Sequence, residues 1–287
     1  MLASFLIPYH FPHPEAMYNG RPVFPWGVYG AELVGTALLV AAGLSVVILD
    51  FGTGSLMIRF VPDAGLRRLI TGFLFGTIGA LIALSPVGKE SGAHINPVVT
   101  LAFWLMGKLK GRYVAGYVVS QLAGALIGSL PLLFWGQMGR SVKFGATVPG
   151  AGYGTGWALV GETATTFCLI AGLFFFLRHH RLRRYTPALF PILYAVMVFV
   201  ESPLSGTSTN PARTFGPAVV SGEWHAWWIY WAGPATGMLL SVLLYRYSPL
   251  RAIEIEVAKL YHFGHDRYGI FGFRKQQRTG ADGGPGD

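Results

Sequence analysis

Two short apolar segments of this chain begin with the same pair of residues, Asn96-Pro97 and Asn210-Pro211, and neither can cross a bilayer. At ~1.5 Å per helical residue, residues 96 to 106 and 210 to 220 each give roughly 16 Å of helix, against about 30 Å of hydrocarbon. Proline suits the first helical position because its missing N–H would go unpaired there anyway, and asparagine is a favoured cap. Each tripeptide, Asn96-Pro97-Val98 and Asn210-Pro211-Ala212, is followed two residues on by a threonine, Thr100 or Thr214. If both half-length helices start inside the membrane, their free N–H groups and positive dipole ends converge on one midplane site. Such a site attracts oxygen lone pairs and repels cations.

The membrane itself follows from composition. The chain has 287 residues, 52% of them hydrophobic and only 12% charged, with a mean hydropathy of +0.47; a soluble domain carries about 25% charged residues. Six stretches are predicted to span, at about 27 to 49, 69 to 87, 113 to 135, 157 to 177, 187 to 203 and 226 to 247. Residues 1 to 26, broken by Pro8, Pro12, Pro14, Pro22 and Pro25, read as an N-terminal arm without a secretory signal. Residues 27 to 247 form the membrane-embedded part, in two halves, 27 to 135 and 157 to 247. Residues 248 to 287 form a tail that opens with an amphipathic segment and ends in a disordered Gly-rich stretch.

Six spans put both termini on one side. The arm, the 88 to 112 and 178 to 186 connections and the tail hold most of the 22 Lys and Arg. They therefore belong in the cytoplasm by the positive-inside rule, although Arg59, Arg67 and Arg68 lie on the other side. The formal charge of +9 is thus explained without nucleic acid. The expected location is a cell membrane, plasma or inner, with both termini cytoplasmic. Lone Cys168 excludes an internal disulfide and reads as a small core residue.

Gly30-Ala31-Glu32 opens the first span and Val160-Gly161-Glu162 the fourth. An Ala-Gly-x-x-x-Gly pattern recurs in the third (Ala123, Gly124, Gly128) and sixth (Ala232, Gly233, Gly237). The offset is 109 residues there and 114 between the Asn-Pro motifs, which implies duplication. Three spans per half invert the second copy, so the short helices approach from opposite faces. The glycines let helix backbones touch and are expected to hold the halves together.

The stretches Ser91-Gly92-Ala93-His94-Ile95-Asn96-Pro97-Val98-Val99-Thr100 and Gly206-Thr207-Ser208-Thr209-Asn210-Pro211-Ala212-Arg213-Thr214-Phe215-Gly216-Pro217 resemble the signature loops of the aquaporin and glycerol-facilitator family, the major intrinsic proteins. The resemblance covers roughly residues 27 to 247. It implies an all-α membrane protein, a right-handed bundle of six tilted helices with two re-entrant half-helices, usually a homotetramer with one pore per subunit. Val98 departs from the alanine usual at the third motif position and is expected to pack against the opposite half-helix.

In such a pore Asn96 and Asn210 donate to a passing oxygen. Two donors from opposite sides turn the hydrogens of a midplane water outward and oppose proton relay. Val98 and Ala212 share this midplane. Irregular backbone at membrane depth survives only where buried or lining a wet cavity. The carbonyls of Gly92, Ala93, His94, Gly206 and Ser208 are the expected acceptor ladder. Glu32 and Glu162, costly against lipid, would support the loops from behind by accepting their N–H groups.

Arg213 places a fixed charge near the outer mouth. By the family pattern its filter partners are Thr207, Val198 and either Phe75 or Gly76. By the same resemblance, the histidine found in strict water channels at the Val198 position is absent, which leaves a wider, less polar filter than a strict water pore. Glycerol-conducting members usually carry aspartate where Thr214 stands, and Ala218, Tyr230 and Trp231 look like the water-selective branch.

The expected function is therefore a passive water channel, passing other small uncharged solutes and excluding protons and ions. Its same-fold alternative is a facilitator chiefly for glycerol, urea or neutral metalloid acids. An ion-coupled secondary transporter also has inverted repeats and broken helices, but the sequence shows no cation cage. No metal-ligand cluster or activated nucleophile appears, so neither an enzyme nor a cofactor is expected. The expected partners are water, neutral solutes, lipid and further copies of the chain.

Overall fold

A computed structural model describes residues 16–18, 21–248, 255, 259–261 and 265–271. Residues 1–15 of the arm, and the parts of the tail expected to be amphipathic or disordered, lie outside the described residues. Within the arm, β1 (Met17–Tyr18) and β2 (Arg21–Pro22) pair antiparallel, and Ala16 donates its N–H to the Tyr268 carbonyl at 3.3 Å. Arm and tail thus meet on one face of the molecule.

The first half runs α1 (Trp26–Phe51), α2 (Leu56–Phe60), α3 (Ala64–Leu84), α4 (Pro86–Ser91), the short α5 (Pro97–Leu105) and α6 (Val114–Ser129). A 3-10 segment, Leu130–Trp135, and α7 (Gly136–Ser141) extend the third span. The second half runs α8 (Thr155–Arg178), α9 (Thr186–Ser205), the short α10 (Pro211–Ser221) and α11 (Ile229–Tyr247). Among the described residues five helices are long and apolar enough to cross a membrane. The sixth expected span, α11, has 19 residues and dilutes its apolar run with Tyr230, Trp231, Gly233, Pro234 and Arg246.

The second span begins five residues earlier than hydropathy predicts. Asp63 caps α3 by accepting the Leu66 N–H at 2.6 Å, and Arg67 turns back to the Val61 and Pro62 carbonyls at 2.6 and 2.8 Å. The Asp63 cap and the Arg67 Nη1 bonds hold the charged first turn locally, so it joins the helix. At the other end Ser85 accepts the Val87 N–H and Pro86 starts α4.

The glycine stripes do bring backbones together, but within each half rather than between halves. A Cβ on Gly124 or Gly128 of α6 would lie 2.2 or 2.3 Å from the carbonyl oxygens of Leu33 and Ala37 on α1; one on Gly237 of α11 would lie 2.3 Å from the Thr163 oxygen on α8. The halves meet through other glycines. Gly72 and Gly76 of α3 abut the Tyr194 and Phe190 carbonyls of α9, and Gly216 of α10 abuts the Ala125 carbonyl of α6. Spacing shows which face of a helix is small, not which neighbour presses on it.

The internal register also becomes definite. Gly124 touches the residue after Glu32 and Gly237 the residue after Glu162, while Tyr117 and Tyr230 donate to the Ser91 and Ser205 carbonyls at 2.8 Å each. Both pairs are 113 residues apart, so Gly124 corresponds to Gly237, one turn beyond Gly233.

Cys168 is exposed on α8, not a core residue. In a membrane the outward face is solvated by hydrocarbon, so a small thiol gains nothing by burial there. Leu38, Leu81, Val119, Ile192 and Val200 likewise face outward.

Candidate functional site

Each loop before a half-helix starts at a left-handed glycine, Gly92 (φ 87°) or Gly206 (φ 86°), and continues through Ala93, Ile95, Thr207 and Thr209, all with φ between 41° and 53°. Left-handed backbone at β-branched Ile95, Thr207 and Thr209 costs of order 1–3 kcal/mol each and persists only where surroundings impose it. Here a buried carboxylate stands behind each loop. Glu32 accepts the His94 and Ile95 N–H groups at 2.9 and 2.7 Å, the Ser91 hydroxyl at 2.6 Å and the Gln121 amide at 2.7 Å. Glu162 accepts the Ser208 and Thr209 N–H groups at 2.6 and 2.8 Å and the Ser205 hydroxyl at 2.6 Å.

In a trans peptide the N–H and the preceding carbonyl point opposite ways. With the N–H groups of His94, Ile95, Ser208 and Thr209 aimed at the carboxylates, the carbonyls of Ala93, His94, Thr207 and Ser208 face away from them. Of the other expected ladder members, Gly206 lines a cavity, while the Gly92 carbonyl accepts the N–H of Leu260 from the tail at 3.1 Å.

The asparagines cap their helices as the motif implies: Asn96 Oδ1 accepts the Val98 N–H at 3.0 Å, and Asn210 Oδ1 accepts those of Ala212 and Arg213 at 3.0 and 3.3 Å. Their amides then cross between halves. Asn96 Nδ2 donates to the Thr209 carbonyl and Asn210 Nδ2 to the Ile95 carbonyl, each at 2.9 Å. An amide NH2 has two hydrogens, so one from each asparagine is left for the space between them. Val98 and Ala212 are buried in the core beside this crossing and line neither cavity.

One cavity contains the crossing and a second lies on its Arg213 side. The second, of about 280 Å³, is walled by Arg213, Thr207, Val198, Gly206, Phe75 and Tyr194 among others. The first, of only about 40 Å³, holds both asparagines, with His94, Phe75, Gly76, Tyr194 and Leu260. Arg213 is 5% exposed and donates Nη1 to the Gly145 carbonyl at 2.8 Å, which fixes its guanidinium at the wall of the larger cavity. Phe75 and Tyr194 line both cavities, ring centroids 5.6 Å apart, and mark the neck between them. Gly76 lines only the smaller cavity and serves the contact with α9.

Several residues of this arrangement were not singled out in the sequence. Glu201 accepts hydroxyls from Thr207 and, at 2.5 Å, from Ser205. Gln121 joins Glu32 to Thr100 at 2.7 and 2.9 Å. Both are polar residues inside apolar spans, a signal that could have found them. Tyr194 donates to or accepts from Thr209 Oγ1 at 2.8 Å, and nothing in its sequence context marks it. Among the described residues no group of His, Cys, Asp or Glu could hold a metal ion.

Fold and site together define a helical membrane protein with two half-helices meeting at a polar crossing in the wall of an internal cavity. Residues 22–245 match the family model described as Major intrinsic protein. Similar curated relatives are Aquaporin AqpM of Methanothermobacter marburgensis, 32% identical over 76% of this chain and 95% of its own length, and Probable aquaporin PIP2-8 of Arabidopsis thaliana, 31% identical over 85% and 90%. Among solved structures the aquaglyceroporin from Plasmodium falciparum superposes with a TM-score of 0.65 at 17% identity, covering 79% of this chain and 97% of that one. The chain belongs to the major intrinsic protein family, the aquaporins. It is an integral membrane protein of the class of passive channels for water or small solutes, and not an enzyme.

Proposed function

We propose that this channel conducts water chiefly, admits other small uncharged solutes, and excludes protons and ions. The reciprocal amide-to-carbonyl bonds of Asn96 and Asn210 carry the reading. They hold two donors from opposite half-helices at one place, where a water oxygen accepts both and its hydrogens turn outward. The carbonyls of Ala93, His94, Thr207 and Ser208 receive the outward hydrogens. Glu32 and Glu162 hold those carbonyls in place, and Arg213 repels cations with Thr207, Val198 and Phe75 as its filter partners. The aromatic neck at Phe75 and Tyr194 favours a narrow solute. By the charge distribution both termini are cytoplasmic in a plasma or inner membrane, and the family pattern supports a homotetramer with one pore per subunit.

Stopped-flow light scattering on vesicles holding the full chain, and variants of its mouth on the face of the termini, tests this. Water efflux in sucrose above that of empty vesicles is expected, with slower entry of glycerol and urea. No water permeability in any of these proteins overturns the proposal. The small Val198 in the filter favours a second reading, a glycerol, urea or metalloid facilitator; glycerol entry as fast as water efflux would select it. Uphill solute movement under a pH gradient would replace both with a coupled transporter.

A further inference from the structure

We propose that Leu260 is a pore residue supplied by the tail, seated in the mouth on the face of the termini so that it shuts the path to the asparagines; this rests on the channel proposed above. The Leu260 side chain is 5% exposed and walls the smaller cavity together with Asn96, Asn210 and His94. Its backbone N–H occupies the Gly92 carbonyl at 3.1 Å, an oxygen expected to serve permeating water. The asymmetry between the cavities follows. About 280 Å³ lies open on the Arg213 side, whereas about 40 Å³ remains here, room for about three waters at ~10–15 Å³ of such volume each.

The seat is built from both sides. Lys259 is fully buried, and its Nζ donates to the Lys89 carbonyl at 2.5 Å and the Glu90 carbonyl at 3.3 Å, at the last turn of α4. A helix end leaves such carbonyls unpaired, so a lysine there supplies what the fold lacks. The ammonium also lies 4.7 Å from the Phe271 ring centroid. A Cβ on Gly92 would lie 2.9 Å from Lys259 Cγ, so glycine admits the tail as well as the turn.

Further along, Asp266 accepts the N–H groups of Ile270 and Phe271 at 3.1 Å each, and Phe271 bridges Leu109 while its ring sits 6.4 Å from that of His94. Lys110 donates its N–H to the Ile270 carbonyl at 3.2 Å and its Nζ to the Gly269 carbonyl at 2.8 Å. Ordering a chain costs roughly 1–2 kcal/mol of backbone entropy per residue, and these bonds, with buried Ile255, Ile270 and Phe271, offset it at one position.

Leu260→Ala and Asp266→Asn, made separately in the full chain, loosen the plug at its tip and at its turn. Water permeability per incorporated protein is measured in vesicles beside the wild type, with thermal midpoints in detergent to establish folding. Both variants are expected to conduct at least threefold more water than wild type. Should Leu260→Ala fail to fold, Asp266→Asn decides alone. Equal permeability in all folded proteins, or a fall in the variants, overturns the plug while leaving a channel. Permeability of none above empty vesicles overturns plug and channel together.

Discussion

Arg213 stands three residues after Asn210 on the same half-helix, and the two act by different physics. The asparagine works through geometry: both its oxygen and its amide are committed to backbone partners, and one hydrogen remains. The arginine works through charge at a fixed place. Replacing it as Arg213→Val is expected to raise proton and sodium leak about tenfold, a barrier change of about 1.4 kcal/mol. That lies within the ~1–4 kcal/mol between unit charges 4 Å apart under water-like to surface-like screening. A pH-sensitive dye inside vesicles reads the proton leak and a sodium-sensitive dye the sodium leak, and unchanged leak in both would remove Arg213 from the barrier. Glu32 acts through what it accepts. Glu32→Ala leaves the N–H groups of His94 and Ile95, the Ser91 hydroxyl and the Gln121 amide without it, at roughly 1–3 kcal/mol per unsatisfied group. A loss of at least about 3 kcal/mol is expected, read as a collapse of the thermal midpoint in detergent. Glu32 was legible because a carboxylate in an apolar span must be used. Glu201 gave the same signal, yet its place behind Thr207 depends on a turn of α9 that only coordinates supply.

Helices read well from hydropathy where their ends are apolar and badly where a cap decides. Asp63 extends α3 back through Arg67 and Arg68, charges that hydropathy places outside the membrane. The glycine patterns were legible as close approaches, but their partners were not, since a sequence gives the face of a helix without its neighbour. Gly72 shows the consequence: its α3 packs on α9 so closely that a Cβ would stand 2.3 Å from the Tyr194 carbonyl oxygen, a backbone atom with no rotamer to yield. Gly72→Ala is expected to destabilise by about 1–3 kcal/mol, the ordinary cost of overpacking. Gly30→Ala on α1, where nothing lies within 4 Å of the new carbon, should leave the midpoint within experimental scatter or raise it slightly. Equal midpoints for both variants would show that α3 and α9 have room to separate. Because the Tyr194 side chain belongs to the neck between the cavities, Gly72→Ala should also alter water permeability, whereas Gly30→Ala should not.

At the scale of the whole molecule the two halves match in their loops, their asparagines and their supporting glutamates, and differ in what covers their mouths. That symmetry was legible because duplication leaves repeated motifs at nearly constant spacing. The tail was not, because Lys259-Leu260 has no counterpart in the first half and carries no motif. Its chemistry nonetheless gives the plug a pH dependence. Burial pushes the Lys259 ammonium down to about 8, against about 10.4 in water, despite Asp266 on the tail and Glu90 on α4, whose carboxylate also meets His265 at 3.1 Å. Lys89 and Lys110 add like charge on the opposing segments. The undocked tail therefore binds more protons than the docked tail between pH 8 and about 10.4, so docking strengthens as pH rises through that window, by up to tenfold per unit. A neutral amine still has hydrogens for the Lys89 and Glu90 carbonyls, which makes deprotonation compatible with the seat. Water permeability should fall as the buffer rises from pH 7.5 to 9.5. The fall should be steepest in Asp266→Asn, whose tail is loosened but keeps its lysine, and shallower in Lys259→Met, where only Lys110, lowered by burial and bonded to the Gly269 carbonyl, is left to titrate against the tail. A permeability that rises over this range, or an identical slope in Lys259→Met, would exclude the lysine as the titrating group.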